Sequence, residues 1–135
     1  MTRGTPVVLD ASALLAVFRE EQGHELVSDR IADGGLVSAL NWAEVLSRLV
    51  DLGGDPHETA AMALPQTASG TIEVVPFGDR EARESAKLRA RTRSLGLSLA
   101  DRAALALALA RGLPVLTADR AWTSLRLPVK IEVIR

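Results

Sequence analysis

Five short runs rich in β-branched and leucine residues recur along the chain: Val7-Val8-Leu9, Leu36-Val37-Ser38, Ile72-Glu73-Val74-Val75, Val115-Leu116-Thr117 and Ile131-Glu132-Val133-Ile134. Between them lie longer stretches of Ala, Leu, Arg and Glu with helical spacing. Strands that alternate with helices fold as an α/β domain with a largely parallel sheet, because a parallel neighbour can be reached only through a crossover. The first run is apolar without alternation, as a strand covered on both faces must be. Helices are expected over 11–33 with a break near Gly23, over 42–69 with a stop at Gly53-Gly54 and a second helix that Pro65 ends or kinks, over 79–95, over 99–111, and briefly over 120–125. No repeat, linker or low-complexity tract divides the chain, so residues 1–135 read as one domain, long enough to bury roughly two thirds of its unfolded surface.

Composition narrows the chemistry. The absence of cysteine removes disulfides, thiolate zinc sites and cysteine nucleophiles. The longest apolar run, Ala103 to Ala110, is eight residues, against the roughly 20 needed to span a bilayer. Asp10 and Ser12 interrupt the apolar segment after Arg3, so it does not read as a signal sequence, and a cytoplasmic location with no membrane partner is expected. A net charge of −1 hides an uneven distribution: residues 80–93 hold six basic side chains against two acidic ones. Such a basic stretch suits phosphate contacts, with Arg80, Arg83 and Lys87 as RNA-binding candidates, and equally suits a solvated helix face carrying Glu–Arg pairs.

Four acids stand out by position. Asp10 follows the first strand, Glu44 lies three residues after Asn41 just past the second, Asp101 three after Ser98, and Asp119 just past the fourth strand. Each has an ordinary explanation: Asn41–Glu44 and Ser98–Asp101 have capping-box spacing, and Asp10 and Asp119 can cap the helices they precede. In a parallel sheet, however, residues that follow strands emerge at one carboxyl edge, where α/β ligand sites lie. A helix leading into the fourth strand starts at that edge too, which brings Asp101 there. Converging carboxylates repel unless a cation sits among them. Without a histidine nearby the donor set favours a hard ion, Mg²⁺ or Mn²⁺, over zinc. Such an ion can lower the pKa of an attacking water and screen a phosphodiester.

With these residues in view, the sequence resembles the PIN-domain family, and within it the VapC-type toxin ribonucleases of VapBC toxin–antitoxin systems. The resemblance rests on Val8-Leu9-Asp10-Ala11-Ser12-Ala13, Asn41-Trp42-Ala43-Glu44-Val45, Leu99-Ala100-Asp101 and Leu116-Thr117-Ala118-Asp119-Arg120-Ala121-Trp122, in the family's order and at its separations. It implies a three-layer sandwich with a five-stranded, largely parallel sheet flanked by helices. It also implies a Mg²⁺- or Mn²⁺-dependent endoribonuclease that acts as the toxin of a type II pair, is a homodimer, and is inhibited by a cognate VapB-type antitoxin. The catalytic metal ligands it implies are Asp10, Glu44, Asp101 and Asp119, with Ser12 and Thr117 as hydroxyls supporting the site or touching phosphate.

Other readings have weaker support. A phosphoacceptor signalling domain needs a lysine at a strand end, and the only lysines are Lys87 and Lys130. A haloacid-type phosphatase needs a second Asp where Ser12 stands. Ser12 has no nearby histidine in sequence to activate it as a nucleophile. His24 and His57 read as surface residues, and Trp42 and Trp122 as packing. A non-catalytic PIN-like module that binds RNA or antitoxin is the remaining alternative.

Overall fold

The computed structural model describes residues 4–60 and 72–135. Among these, five strands form one sheet: β1 (Val7–Leu9), β2 (Gly35–Ser38), β3 (Ile72–Val75), β4 (Val115–Thr117) and β5 (Ile131–Val133). Their order is β3-β2-β1-β4-β5, and every pairing is parallel. The chain builds outward from β1 through β2 to β3, then returns to lay β4 on the other side of β1. The β1–β4 boundary is therefore the topological switch point, where loops diverge and leave a crevice at the carboxyl edge.

Side chains alternate between two apolar faces. Val7, Leu9, Val37 and Leu116 pack with α1 (Ala11–Phe18), α2 (His24–Ile31) and α3 (Ala39–Asp51), through Leu14, Val27, Ile31, Trp42 and Val45. Val8, Leu36 and Val115 pack on the other face, with Leu88, Leu105 and Trp122. That face carries α4 (Asp79–Lys87), a single turn α5 (Arg89–Thr92) and α6 (Leu99–Arg111). The result is the expected sandwich of helices, sheet and helices. In α6, residues 102–108 are all buried, and six of these seven are alanine or leucine with Arg102 leading them. Alanines let the helix lie close on the sheet. No helix among the described residues is long and apolar enough to cross a membrane.

Local structure departs from expectation in three places. The helix expected over 79–95 divides into α4, α5 and a 3-10 turn (Arg93–Leu95). Leu88 turns inward at the first break, and at the second the Thr92 hydroxyl donates to the Leu88 carbonyl at 2.8 Å, a back-bond that disturbs helices. The segment expected to be helical over 120–125 is a 3-10 turn, Arg120–Ser124. Residues 56–60 are helical, but Pro65 and the rest of the helix expected there fall outside the described residues.

The third departure concerns Asn41, which does not cap a helix. Ser38, the last residue of β2, caps α3 by accepting from the Leu40 amide, so strand passes into helix with no loop. Asn41 sits inside the first turn, buried, and its Nδ2 donates to the Ala100 carbonyl at 3.0 Å. The capping-box reading of Asn41 and Glu44 is thus corrected, whereas Ser98 and Asp101 form a reciprocal box at the start of α6.

Candidate metal and nuclease site

Asp10 is the structural centre of the carboxyl edge. It leaves β1, caps α1 by accepting from the Ala13 amide at 2.9 Å, and is 4% exposed. The Ser12 hydroxyl donates to its Oδ1 at 2.7 Å, and the Thr117 hydroxyl donates to Oδ2 across the switch point at 2.6 Å. Both hydroxyls also accept: Ser12 Oγ from the Ala118 amide at 2.9 Å, Thr117 Oγ1 from the Asp119 amide at 3.1 Å. The accepted bonds direct each hydroxyl hydrogen toward Asp10. Ser12 and Thr117 therefore fix the Asp10 carboxylate and tie the β4 loop to the start of α1.

The other acids arrive on separate elements. Glu44 projects from α3 and is exposed. Asp101 lies in the first turn of α6, with one carboxylate oxygen accepting from the Ser98 amide at 3.0 Å. Asp119 follows β4 and accepts from the Ala121 amide at 2.9 Å. Asn41 couples two of these elements, since its bond to Ala100 docks the first turn of α3 on the residue before Asp101.

All four acids line one cleft of about 380 Å³. Sequence reasoning missed its three arginines, Arg19, Arg48 and Arg135. Arg48 was legible, being one helical turn after Glu44 on α3 and so on the same face. Arg19 and Arg135 reach the cleft only through tertiary folding. Arg135 Nη1 donates to the Gln22 carbonyl at 2.9 Å. The basic candidates of α4 stand elsewhere: Arg83 pairs with Asp79 at 2.9 Å, Lys87 with Glu84 at 3.7 Å, and Arg80 lines a separate groove against α6. Lys130 precedes β5, at the opposite edge from the acids, and Lys87 does not line their cleft, so neither lysine stands beside the acids as a phosphoacceptor site needs.

Burial dominates the electrostatics. It pushes the Asp10 carboxyl up to about 6; the Thr117, Ser12 and Ala13 hydrogen bonds oppose this, and the Asp101 charge adds to it. Glu44 is also raised, by partial burial and then by Asp101, with Arg48 acting the other way. A buried carboxylate that makes no ion pair among the described residues, beside a second acid, is a site whose charge a cation would stabilise.

The donors are all carboxylate oxygens, which suits a hard divalent ion. Among the described residues no three acids or histidines lie close enough to enclose one. The fit is therefore to an ion of the Mg²⁺ type, which takes one or two carboxylates and keeps most of its waters, and not to a closed cage.

The PIN-domain family model matches residues 7–126. The sequence matches no curated protein at a significant level. Among solved structures, the chain is similar to a DNA-bound VapBC from Salmonella typhimurium, at TM-score 0.70 and 16% identity, covering 98% of this chain and 100% of that one. It is similar to VapBC-5 of Mycobacterium tuberculosis, a VapBC-family toxin–antitoxin system, at TM-score 0.57 and 28% identity, covering 98% and 99%. A third is Mycobacterium tuberculosis VapC20, a toxin that cleaves the sarcin–ricin loop, at TM-score 0.65 and 14% identity, covering 89% and 96%.

Proposed function

The chain belongs to the PIN-domain family, and from that premise we propose that it is a Mg²⁺- or Mn²⁺-dependent endoribonuclease, the toxin of a type II toxin–antitoxin pair. The observation that carries this reading is the cleft that Asp10, Glu44, Asp101 and Asp119 line, with Asp10 buried and in no ion pair among the described residues. Similarity to VapBC structures and to an RNA-cleaving VapC supports the substrate class and the partner. When bound, the divalent ion would supply water activation and charge neutralisation at the phosphodiester.

The chain's own residues would do the rest. Asp10 would be the best-ordered ligand, held by Ser12 and Thr117, with Glu44, Asp101 and Asp119 holding the ion directly or through its waters. Arg19, Arg48 and Arg135 on the rim would draw RNA phosphates into an otherwise negative cleft. Arg80, Arg83 and Lys87 would meet RNA only outside the cleft, where a strand continues over α4. A VapB-type antitoxin would silence the site by presenting an arginine or lysine to the same carboxylates, since a guanidinium pairs with them in bidentate fashion. The protein would act as a homodimer in the cytoplasm.

The test is cleavage of RNA by purified protein with EDTA, Mg²⁺ or Mn²⁺, comparing wild type with Asp10→Asn and Asp101→Asn. Divalent-dependent cleavage lost in both folded variants supports the nuclease. RNA or antitoxin binding without cleavage in any metal would leave the non-catalytic PIN-like module as the reading.

A further inference from the structure

A second cleft, of about 470 Å³, lies at the first turn of α6, lined by residues of that turn and by residues that follow α4. Three arginines line it, Arg89, Arg93 and Arg102, together with Thr92 and Ser98, and no acid does. None of the three arginines pairs with a carboxylate among the described residues.

Arg102 is the informative one, being only 9% exposed. Its Nη1 donates to the Ser85 carbonyl at 3.1 Å, which places a cation against the last turn of α4. Its Nε is buried and has no partner among the described residues. A guanidinium is charged at any physiological pH, and a buried charge is costly without a counter-charge. Capping α4 accounts for Nη1 alone. It does not explain why two further arginines gather at the same opening. The Thr92 hydroxyl is already committed to the Leu88 carbonyl, so the cations are the cleft's main recognition groups. The start of a 13-residue helix adds positive potential from the same side.

A phosphate matches this site, because planar guanidinium forks bind its oxygens two at a time. The neighbouring cleft says which phosphate. Asp101 and Arg102 are consecutive in the first turn of α6, one lining the acidic cleft and the other the basic one. Consecutive residues thus tie the basic cleft to the acidic one, so a phosphate of a strand held at the acids is the phosphate within reach.

We propose that Arg89, Arg93 and Arg102 form a phosphate subsite that holds the RNA backbone beside the scissile bond. The proposal rests on the nuclease reading for its choice of RNA, and its test separates the two. The probe is a fluorescent single-stranded RNA oligonucleotide, titrated by anisotropy in EDTA across a salt series so that nothing is cut. Arg89→Ala/Arg93→Ala changes only exposed residues and should fold as wild type. Its affinity is expected to fall about tenfold or more at low salt, with a slope of log K against log salt shallower by about one. Arg102→Gln, if circular dichroism shows it folded, should do the same, whereas Asp10→Asn should keep its affinity. Wild-type affinity and salt slope in the double variant overturn the subsite, whatever the cleavage assay shows. If the double variant loses affinity but no metal supports cleavage by wild type, the subsite stands and the nuclease reading fails. A second arm measures melting with inorganic phosphate against chloride at matched ionic strength. Phosphate stabilisation of wild type alone, with equal RNA affinity in both proteins, would assign the cleft to free phosphate and overturn its role in holding RNA.

Discussion

Asp10 performs two tasks with one carboxylate. As the N-cap of α1 it satisfies a backbone amide, and as a buried acid it carries a charge that its surroundings disfavour. Burial raises it from 3.8 to about 6, so the folded protein keeps a proton there that the unfolded chain releases. Between those values stability therefore falls as pH rises, and above about 6 this contribution is constant. Urea unfolding of Asp10→Asn should show that slope removed. At pH 7 the substitution also removes a charge cost on the order of 1–3 kcal/mol, set against about 1 kcal/mol for the hydroxyl bond that an amide nitrogen cannot accept, so the variant should be at least as stable as wild type. A variant less stable than wild type at pH 7 would contradict this account of the site. Metal binding carries the opposite sign, because an ion competes with the proton. The stabilisation given by Mn²⁺, followed by thermal melting, should weaken as pH drops through about 6.

At the scale of elements, the site depends on how α3 and α6 meet. The Asn41–Ala100 bond spans their first turns and sets Glu44 relative to Asp101. Asn41→Ala should cost about 1 kcal/mol of stability, the usual value of one hydrogen bond. Cleavage should fall further than that loss explains, because carboxylate geometry shifts. Steady-state kinetics beside urea melts separate the two effects. A second weak point is Gly23, which begins α2 at φ +97, where a Cβ would lie 2.5 Å from the Ile134 carbonyl oxygen. Gly23→Ala should cost about 2 kcal/mol or more, from the left-handed conformation and the clash together. It should also loosen the neighbouring contact of Arg135 with Gln22.

Asn41 marks the limit of what the sequence showed. Its spacing to Glu44 imitates a capping box, but Ser38 ends β2 and caps α3 at once, a shortcut visible only when strand and helix are seen to join directly. The strands were legible because each is a short run rich in β-branched and leucine residues. The four acids were legible because strand ends define one edge. Arg19, Arg135 and Arg102 were not, since long side chains reach their clefts by paths that no local spacing encodes.

For the molecule as a whole, a net charge of −1 conceals an acidic cleft and a basic one that share a single helix start. An ion bound only by the folded state raises the melting temperature by mass action. Millimolar Mg²⁺ or Mn²⁺ should therefore stabilise wild type, and Asp10→Asn much less, by differential scanning fluorimetry. Expressed alone in a bacterial host the protein should arrest growth, and co-expression with the adjoining open reading frame should restore it. Normal growth at good soluble yield would remove the toxin assignment and leave the nuclease one standing.

The cap that Asp10 places on α1 also bears on heredity. Aspartate and asparagine codons differ by one base, and both residues cap helices well. On the nuclease reading, a single point mutation would thus silence the chemistry while the fold persists. A lineage escaping the proposed activity would then not need to lose the gene, because the shortest exit leaves a folded, inert protein.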